Sequence, residues 1–300
     1  MGMAVEWAQL EYFRMAARLQ HFTRAAERLA VSQSALSRSI ARLEQELGAP
    51  LFEREGRSIR LTPYGQRFLR RVERVMREMD EARREIQELA DPERGEVRLG
   101  FLHTLGVHLV PDLIRDFRSR FPKVSFVLVQ NAAGPVFRQL ESGEIDLCFL
   151  SPPVRREGVG WVDLKTEELF LIVPSQHPLA GRDRIELRNV AEEPFIALKR
   201  GYGMRTITEE VCAQAGFSPR IAFEGEEVAT VAGLVAGGLG VAMVPDFPGL
   251  ELLGIKKLPV HAPLCRRVIG MAWIEHRALS PAAERFRRFV VGREETGSSR

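Results

Sequence analysis

The sequence predicts a chain of three parts: a small helical unit with a β-hairpin, one long helix, and a larger α/β unit with two lobes. Three observations support this fold class. Apolar residues recur at helical spacing in three short stretches before residue 48, a heptad pattern occupies residues 68–89, and apolar strands alternate with helices from residue 97 onward. Alternation of the last kind is typical of an α/β fold.

Composition and charge exclude several kinds of site. The 300 residues are 45% hydrophobic with a net charge of +3, so the chain can bury cores unaided and its basic residues matter by position. Cys148, Cys212 and Cys265 are too far apart for a disulfide framework or a metal site. The N-terminus carries charges where a signal peptide is apolar. We expect a cytoplasmic protein without a cofactor.

One uncharged stretch, 228–245, is long enough for a membrane span. Glycines interrupt it, and the pair Gly237-Gly238 is typical of a helix end. We therefore interpret the stretch as a helix followed by a buried strand at 241–244.

Three short helices are predicted at the N-terminus. The first covers residues 6–19, and Thr23 is the expected N-cap of a second helix at 24–29. Ser32 is the expected N-cap of a third helix that runs to Leu47, where Gly48 and Pro50 end it. Two short helices joined by a turn of about four residues are typical of a helix-turn-helix.

The third helix has two different faces. One face is apolar and is expected to lie in a core; it carries Leu36, Ile40, Leu43 and Leu47. The opposite face is polar with few acids, and groups of this kind on the first turns of a helix can read base edges in the major groove of DNA. That face carries Gln33, Ser34, Ser37, Arg38, Ala41 and Gln45. The alternative is an ordinary solvated face of a three-helix bundle.

A hairpin is predicted after the third helix, with strands at 51–54 and 58–61 around a Glu55-Gly56 turn. It resembles the wing of a winged helix, and its arginines are suited to contact phosphates. The residues expected at the DNA are Thr23, Ser32, Gln33, Ser34, Ser37, Arg38, Arg42, Arg54, Arg57 and Arg60. Gln33, Ser34, Ser37 and Arg38 are the expected base contacts.

The run from Phe22 to Gly65 resembles the N-terminal signature of LysR-type transcriptional regulators. The resemblance is carried by FTRAAERLAVSQSALSRSI at 22–40, LEQELG at 43–48, LFER at 51–54 and LTPYG at 61–65. It implies a winged helix-turn-helix, a linker helix that pairs two chains, and a C-terminal effector domain of the periplasmic-binding-protein-like fold with two lobes. It also implies double-stranded DNA, a small-molecule effector, RNA polymerase and other copies of the chain, in a dimer or tetramer, as partners.

The long helix has a start signal at Thr62-Pro63 and a heptad seam. The seam residues, at alternating steps of four and three, are Phe68, Val72, Val75, Met79, Ala82, Ile86 and Leu89. The pattern predicts a two-stranded coiled coil and hence a dimer interface, although a single amphipathic helix lying on its own domain has the same pattern. Residues 91–95 are expected to end the helix and form a hinge.

The C-terminal residues are interpreted as two α/β units with open, largely parallel sheets, one ending near Pro152 and one near Pro245. The last strand and helix, at 267–273 and 282–290, are expected to return to the first unit. The predicted domains are 3–62, 63–91 and 92–300, with lobe I at about 95–163 and 267–293 and lobe II at about 164–266.

Ligands of open α/β sheets bind beyond the carboxyl ends of strands, next to helix N-termini. This rule selects Leu102, His103, Thr104, Gln130, Asn131, Ser151, Lys199, Arg200, Gly201, Tyr202, Glu224, Val244 and Pro245. Thr104 and the turn at 199–201 correspond to positions where the resembling family binds effectors. Lys199 and Arg200 would suit an anionic effector. The alternative for each of these residues is a plain turn or cap.

Rival functions are an enzyme, a transport-type binding protein and a regulator with a ligand-independent scaffold. The histidines lack metal-ligand spacing and no serine or cysteine lies in a nucleophile motif, so we expect no enzyme. A transport protein would have no use for the helix-turn-helix. The scaffold alternative stays open, because a fold does not establish a ligand. We predict an effector-modulated, sequence-specific DNA-binding regulator.

Overall fold

The computed structural model describes residues 5–55, 58–90, 94–247, 249–250 and 254–297. It divides into an N-terminal unit, Met1–Arg83, and a C-terminal unit, Arg84–Arg300. Within the described ranges, no helix combines the length and the apolar character needed to cross a membrane. The stretch 228–245 instead contains a helix of nine residues and a four-residue buried strand, as predicted.

The N-terminal unit is a winged helix-turn-helix. Its elements are α1 (Trp7–Leu19), α2 (Phe22–Arg28), α3 (Gln33–Leu47), β1 (Phe52–Glu55), β2 (Ser58–Leu61) and the first part of α4 (Pro63–Ala90). The two strands pair in antiparallel register, and Phe13, Leu36 and Leu43 are fully buried between the helices. The predicted Gly56 turn and Arg57 lie outside the described residues.

Helix ends in this unit follow the sequence signals, with one exception. Ser32 Oγ accepts a hydrogen bond from the Ala35 amide at 3.2 Å, and Thr62 Oγ1 accepts one from the Gly65 amide at 3.0 Å. The prediction that Thr23 caps α2 is wrong. The helix already begins at Phe22, and the Nδ1 atom of His21 accepts the hydrogen bond from the Arg24 amide at 3.5 Å.

The seam of α4 serves two purposes along its length. Phe68 packs against the core of the N-terminal unit and Val72 is buried in it, so these two residues are not available to a partner chain. Val75, Met79 and Ile86 are at least half exposed. Ala82 is also exposed, and the Leu89 side chain lies outside the described part of the chain. The first turns of α4 therefore lie on their own domain, as the alternative interpretation predicts. From Val75 to Ile86 the seam is exposed and is available to a partner chain.

The C-terminal unit has two lobes, each with its own core. Its strands are β3 (Gly95–Phe101), β4 (Val124–Gln130), β5 (Leu147–Leu150), β6 (Val159–Pro174), β7 (Ile185–Glu186), β8 (Pro194–Leu198), β9 (Arg220–Gly225), β10 (Ala242–Pro245), β11 (Ile255–Ala262) and β12 (Arg266–Ile274). Its helices are α5 (Leu109–Arg120), α6 (Ala133–Ser142), α7 (Gly203–Gln214), α8 (Val228–Ala236) and α9 (Pro281–Gly297), with short 3-10 turns at His103–Leu105 and Leu187–Val190.

Two long antiparallel strands connect the lobes. The main sheet has the order β4-β3-β5-β12-β6-β11-β7, and β10 also pairs with β6. Because β6 and β12 pair from Val159↔Ile274 to Glu168↔Arg266, they run from lobe I into lobe II. The final strand and helix return to lobe I as predicted, since β12 pairs with β5 and Phe286 lies in the lobe I core.

The prediction of largely parallel sheets is wrong. The pairings β3–β4, β3–β5, β7–β11 and β8–β9 are parallel. In contrast, β10, β11 and β12 pair antiparallel with β6, and β12 pairs antiparallel with β5. The sequence reading found only the apolar second half of β6 and missed β7 and β11. The first half of β6 alternates with charged residues, and β11 carries Lys256, Lys257 and Pro259, so neither presents an apolar run.

Candidate DNA-binding surface and effector cleft

Helix α3 presents its predicted polar face to solvent. Gln33, Ser34 and Arg38 are exposed and Ser37 is half-buried, whereas Leu36 and Ile40 on the opposite face are buried. The face therefore lies on the outside of the helix-turn-helix, where a DNA major groove can reach it.

The side chains on this face differ in how they are already engaged. The hydroxyls of Ser32 and Ser34 lie 3.1 Å apart, and Ser32 also caps the helix, so Ser32 has a structural role. Arg42 forms an ion pair with Glu46 at 3.1 Å. Arg38 makes no ion pair or hydrogen bond with another described residue, which leaves its guanidinium available to a base or a phosphate. Thr23 is exposed on α2.

The wing is described only in part. Arg60 is exposed on β2, but the side chains of Arg54 and Arg57 lie outside the described residues. The sequence analysis did not predict a row of arginines on α4, which lines a groove of about 700 Å³ together with Leu47 and Tyr64. The arginines of the row are Arg67, Arg70, Arg71 and Arg74. Their helical spacing of three and four residues is a signal that the sequence carries.

The candidate cleft in lobe I is built at the ends of β3, β4 and β5. The amide nitrogen of Asn131 donates to the Phe101 carbonyl at 3.2 Å, and Gln130 Nε2 donates to the His103 carbonyl at 3.4 Å. These bonds hold the segments after β3 and β4 together, as the carboxyl-end rule predicts. Asn131 is additionally engaged with its neighbour, since its Oδ1 accepts from the Ala132 amide.

Lobe II contributes charged groups that are already paired. Lys199 Nζ donates to Glu226 at 2.6 Å, and this hydrogen bond lowers the pKa of the Glu226 carboxyl and raises that of the Lys199 ammonium. Glu224 accepts from the buried Arg205 at 2.6 Å. Glu226 and Arg205 were not predicted. Lys199 and Arg205 are therefore compensated within the protein, whereas Arg200 is exposed and forms no ion pair with another described residue, so an anionic effector would depend mainly on Arg200.

The two lobes meet at the predicted site. The rings of His103 in lobe I and Tyr202 in lobe II have centroids 6.1 Å apart. Ser151, at the end of β5, packs against Gly203 at the start of α7. The Oγ atom of Ser151 and the Nδ1 atom of His103 are buried without a hydrogen-bond partner in the described structure. Buried polar groups are normally paired, so these two atoms are suited to a bound ligand or water.

Thr104 is held by a residue that the sequence reading missed. Its Oγ1 accepts a hydrogen bond from Nη1 of Arg267 at 2.9 Å. Arg267 is 3% exposed and donates twice to Glu167, which lies directly opposite it on β6. Burial lowers the pKa of the Arg267 guanidinium, and the Glu167 carboxylate opposes that effect. The sequence does show an arginine next to an apolar strand, which could have marked Arg267 as unusual. Its partner Glu167 could not be predicted, because that pairing depends on the register between β6 and β12.

Other predicted effector residues have structural positions. Leu102 belongs to the lobe I core and Val244 to the lobe II core, and Pro245 is buried at the end of β10. Their side chains are occupied by packing, and their assignment as effector contacts stays a prediction. Arg200 and Gly201 are exposed in the turn before α7, where Gly201 has a φ of 92°.

A larger groove lies beside the crossover strands, with a volume of about 880 Å³. It is lined by parts of α5, α9 and β6 and includes Thr104, which is the predicted effector residue it shares with the cleft. Its charges are also paired, since Lys257 binds Asp246 at 2.6 Å and Lys165 binds Glu167 at 3.2 Å. Among the described residues, no cluster of histidine, cysteine and acidic side chains is suited to a metal ion.

Two family models match the chain. One, described as the LysR substrate binding domain, matches residues 90–294. The other, described as a bacterial regulatory helix-turn-helix protein of the lysR family, matches residues 7–66. The chain belongs to the LysR family of transcriptional regulators. The resemblance found in residues 22–65 is thereby confirmed.

Known relatives agree with this membership along the whole chain. This LysR-family chain is 51% identical over 287 residues to the uncharacterized HTH-type transcriptional regulator YybE of Bacillus subtilis (strain 168), covering 96% of this chain and 98% of that protein. Full-length CbnR complexed with its target DNA has a TM-score of 0.76 at 25% identity, covering 96% of this chain and 99% of that chain. The effector binding domain of QuiR in complex with shikimate has a TM-score of 0.65 at 27% identity, covering 68% of this chain and 98% of that chain.

Proposed function

We propose that this LysR-family regulator reads its operator through α3 as a symmetric dimer, and that a small polar effector between lobes I and II changes its output. The observation that carries the proposal is the exposed polar face of α3, with an unengaged Arg38, in a chain whose two units both match LysR family models. The protein acts at a promoter in the cytoplasm, together with RNA polymerase.

The DNA contacts divide into base contacts and phosphate contacts. Gln33, Ser37 and Arg38 read base edges from the exposed face of α3. Ser32 holds the first turn of α3 in shape through its cap, and Ser34 is coupled to it by the hydroxyl pair. The phosphate contacts are Thr23, Arg42, Arg54, Arg57 and Arg60. Arg42 must exchange its ion pair with Glu46 for a phosphate, which reduces its net contribution.

Dimerisation is supported by the charge pattern of α4. The residues from Arg67 to Arg77 are mainly basic, and those from Glu78 to Glu88 are mainly acidic. The exposed seam residues Val75 and Met79 lie near the junction of the two halves. An antiparallel pair of α4 helices would place the basic half of each chain against the acidic half of its partner, whereas a parallel pair would juxtapose like charges. A twofold dimer of this kind presents two α3 helices to two half-sites.

The effector site uses the polar atoms that lack partners. Because Thr104 Oγ1 accepts a hydrogen bond from Arg267, its own hydroxyl hydrogen can rotate to donate to a ligand acceptor. Ser151 Oγ and His103 Nδ1 offer two further hydrogen-bonding positions in the same region. Because Lys199 is paired with Glu226, the site favours a ligand held mainly by hydrogen bonds to its hydroxyl, carbonyl or carboxylate oxygens over one that requires Lys199 as a free cation.

Two measurements test this function. Full-length protein first selects its site from a random DNA pool, and fluorescence anisotropy then compares that site with scrambled DNA across a salt series. We expect a preference of about a thousandfold or more at physiological salt. Equal affinity for both DNAs at every salt concentration would contradict base reading by α3.

The effector arm is separate. Thermal unfolding of the full-length protein is followed with a panel of hydroxylated carboxylic acids that includes shikimate, because a ligand that binds the folded state raises the unfolding temperature. We expect a concentration-dependent increase with at least one compound, and we expect Thr104→Val to abolish it. An increase that persists in Thr104→Val would place the ligand elsewhere.

A further inference from the structure

Helix α7 of lobe II begins in close contact with lobe I. A Cβ atom on Gly203 would lie 2.0 Å from the carbonyl oxygen of Ser151, 2.9 Å from its carbonyl carbon and 3.0 Å from Cδ of Pro152. The nearest of these are backbone atoms, which cannot rotate away as a flexible side chain can. The φ of Gly203 is outside the left-handed region, so the backbone conformation does not require glycine. The requirement comes from the approach of the other lobe.

Two features make this contact more than an incidental touch. Helix α7 has no side-chain N-cap, so the Gly203 and Met204 amides at its positive dipole end have no side-chain partner, whereas the Arg205 amide donates to the Tyr202 carbonyl at 3.0 Å. The Ser151 carbonyl lies beside that turn and carries the matching partial charge. Next to it, His103 and Tyr202 face each other across the same boundary. The contact therefore joins the lobes where the proposed effector residues come together.

We propose that Gly203 is a positioning residue for the effector cleft, because the missing side chain allows the lobes to close until the Ser151 peptide reaches α7. This inference rests on the effector site proposed above and adds the position that sets the degree of closure. A methyl group needs a contact distance of about 3.5 Å, so any side chain at position 203 forces this boundary to open by about 1.5 Å. His103 and Tyr202 are then too far apart to contact the same small ligand.

Hydrogen exchange of the full-length protein, without DNA or effector, tests the inference. The variant Gly203→Ala is compared with Gly233→Ala, a matched control because Gly233 also lies in a lobe II helix and a Cβ there meets nothing within 4 Å. We expect exchange at the amides of 102–106, Leu150 and Ser151 in lobe I to become about tenfold faster in Gly203→Ala. We expect Gly233→Ala to match the wild-type protein at these amides.

The location of the faster hydrogen exchange distinguishes opening of the lobe boundary from local damage to α7. Opening accelerates exchange on the lobe I side of the contact and leaves the buried turns of α7 unchanged. Acceleration confined to α7 would show that the alanine disturbs only its own helix and would overturn the proposal. Unchanged exchange at Leu150 and Ser151 would overturn it as well. Because neither DNA nor effector is present, a failure of operator binding leaves this result unaffected.

A distance measurement provides the second readout. Spin labels on Arg138→Cys in α6 and Thr230→Cys in α8 occupy exposed positions in the two lobes, and the native cysteines are buried. Double electron–electron resonance then compares the doubly labelled protein with and without Gly203→Ala. We expect a shifted mean distance with Gly203→Ala and none with Gly233→Ala. An identical distance distribution in all three proteins would exclude a role of position 203 in closure.

Discussion

Arg267 donates a hydrogen bond to Thr104 at 2.9 Å and thereby connects the crossover between the lobes to the end of β3. The same guanidinium is paired with Glu167 on the neighbouring strand and is almost completely buried. Burying a charged pair is costly, and the cost is offset only while every partner is present. The relationship therefore makes a cleft residue and a crossover residue depend on each other.

The first prediction concerns the removal of this buried cation. Arg267→Met removes the shared donor of Thr104 and Glu167, and Glu167 keeps only Lys165 at 3.2 Å, so we expect the free energy of unfolding to fall by about 1–3 kcal/mol. Arg266→Met is the matched control, because Arg266 is half exposed and only loosely paired with Glu168 at 3.6 Å; we expect a change of at most about 0.5 kcal/mol. Urea unfolding of the full-length protein, followed at the transition of the C-terminal unit, measures both changes in the free energy of unfolding. Equal losses in the two variants would contradict the structural role of Arg267.

The N-terminal unit could be predicted closely from its sequence because its signals are local. Ser32, Gly48 and Thr62 mark helix ends through hydrogen bonds or backbone conformation within a few residues. The structure places both ends of α3 and the start of α4 where those residues predict them. The start of α2 was missed because a histidine provides the cap, and histidine is not a usual cap residue.

The C-terminal unit was less predictable because its strand pairing is long-range. No local signal shows that Val159 pairs with Ile274, and the polar half of β6 has no apolar run. The rule that ligands bind beyond the carboxyl ends of strands selected Thr104, Ser151 and Tyr202 from the sequence. All three lie close to the lobe boundary in the structure. The ion pairs that hold it depend on strand register and could not be derived from the sequence.

The second prediction concerns base reading by α3. Arg38→Ala removes an exposed, unengaged guanidinium, and we expect a loss of about 1–3 kcal/mol on the selected site with little change on scrambled DNA. Arg42→Ala is the comparison, because a phosphate contact should weaken binding to both DNAs and reduce the salt dependence. Anisotropy titrations of both variants over a salt series measure the difference. A uniform loss for Arg38→Ala would reassign Arg38 to the phosphate contacts.

The third prediction separates the two roles of α4. Met79 is about half exposed on the open seam, so Met79→Glu should dissociate the dimer without unfolding the chain. Met76 is buried in the N-terminal core three residues earlier, so Met76→Ala should lower stability by about 2–5 kcal/mol and leave the dimer intact. Sedimentation velocity and thermal unfolding provide the two readouts. A dimer that survives Met79→Glu would rule out the seam as its main interface.

The fourth prediction concerns the cysteines. Burial raises the pKa of Cys265 to about 11 and that of Cys212 to about 12, and it raises the pKa of Cys148 still further. The thiolate is the reactive form, so the native protein at pH 7.5 should resist alkylation by iodoacetamide, whereas the urea-unfolded protein should react at all three positions.

The pH dependence of this protection follows from the direction of the shifts. Because the folded thiols have a pKa above the unfolded value, the stability they contribute is complete below the unfolded pKa and is lost as the pH rises through the folded pKa. Native alkylation should therefore become appreciable only well above pH 9, and hydrogen peroxide at neutral pH should not alter DNA binding. Mass spectrometry of the labelled protein, with the unfolded protein as control, measures this. Rapid labelling of one native cysteine at pH 7.5 would instead identify a reactive thiol and make a redox input to this regulator testable.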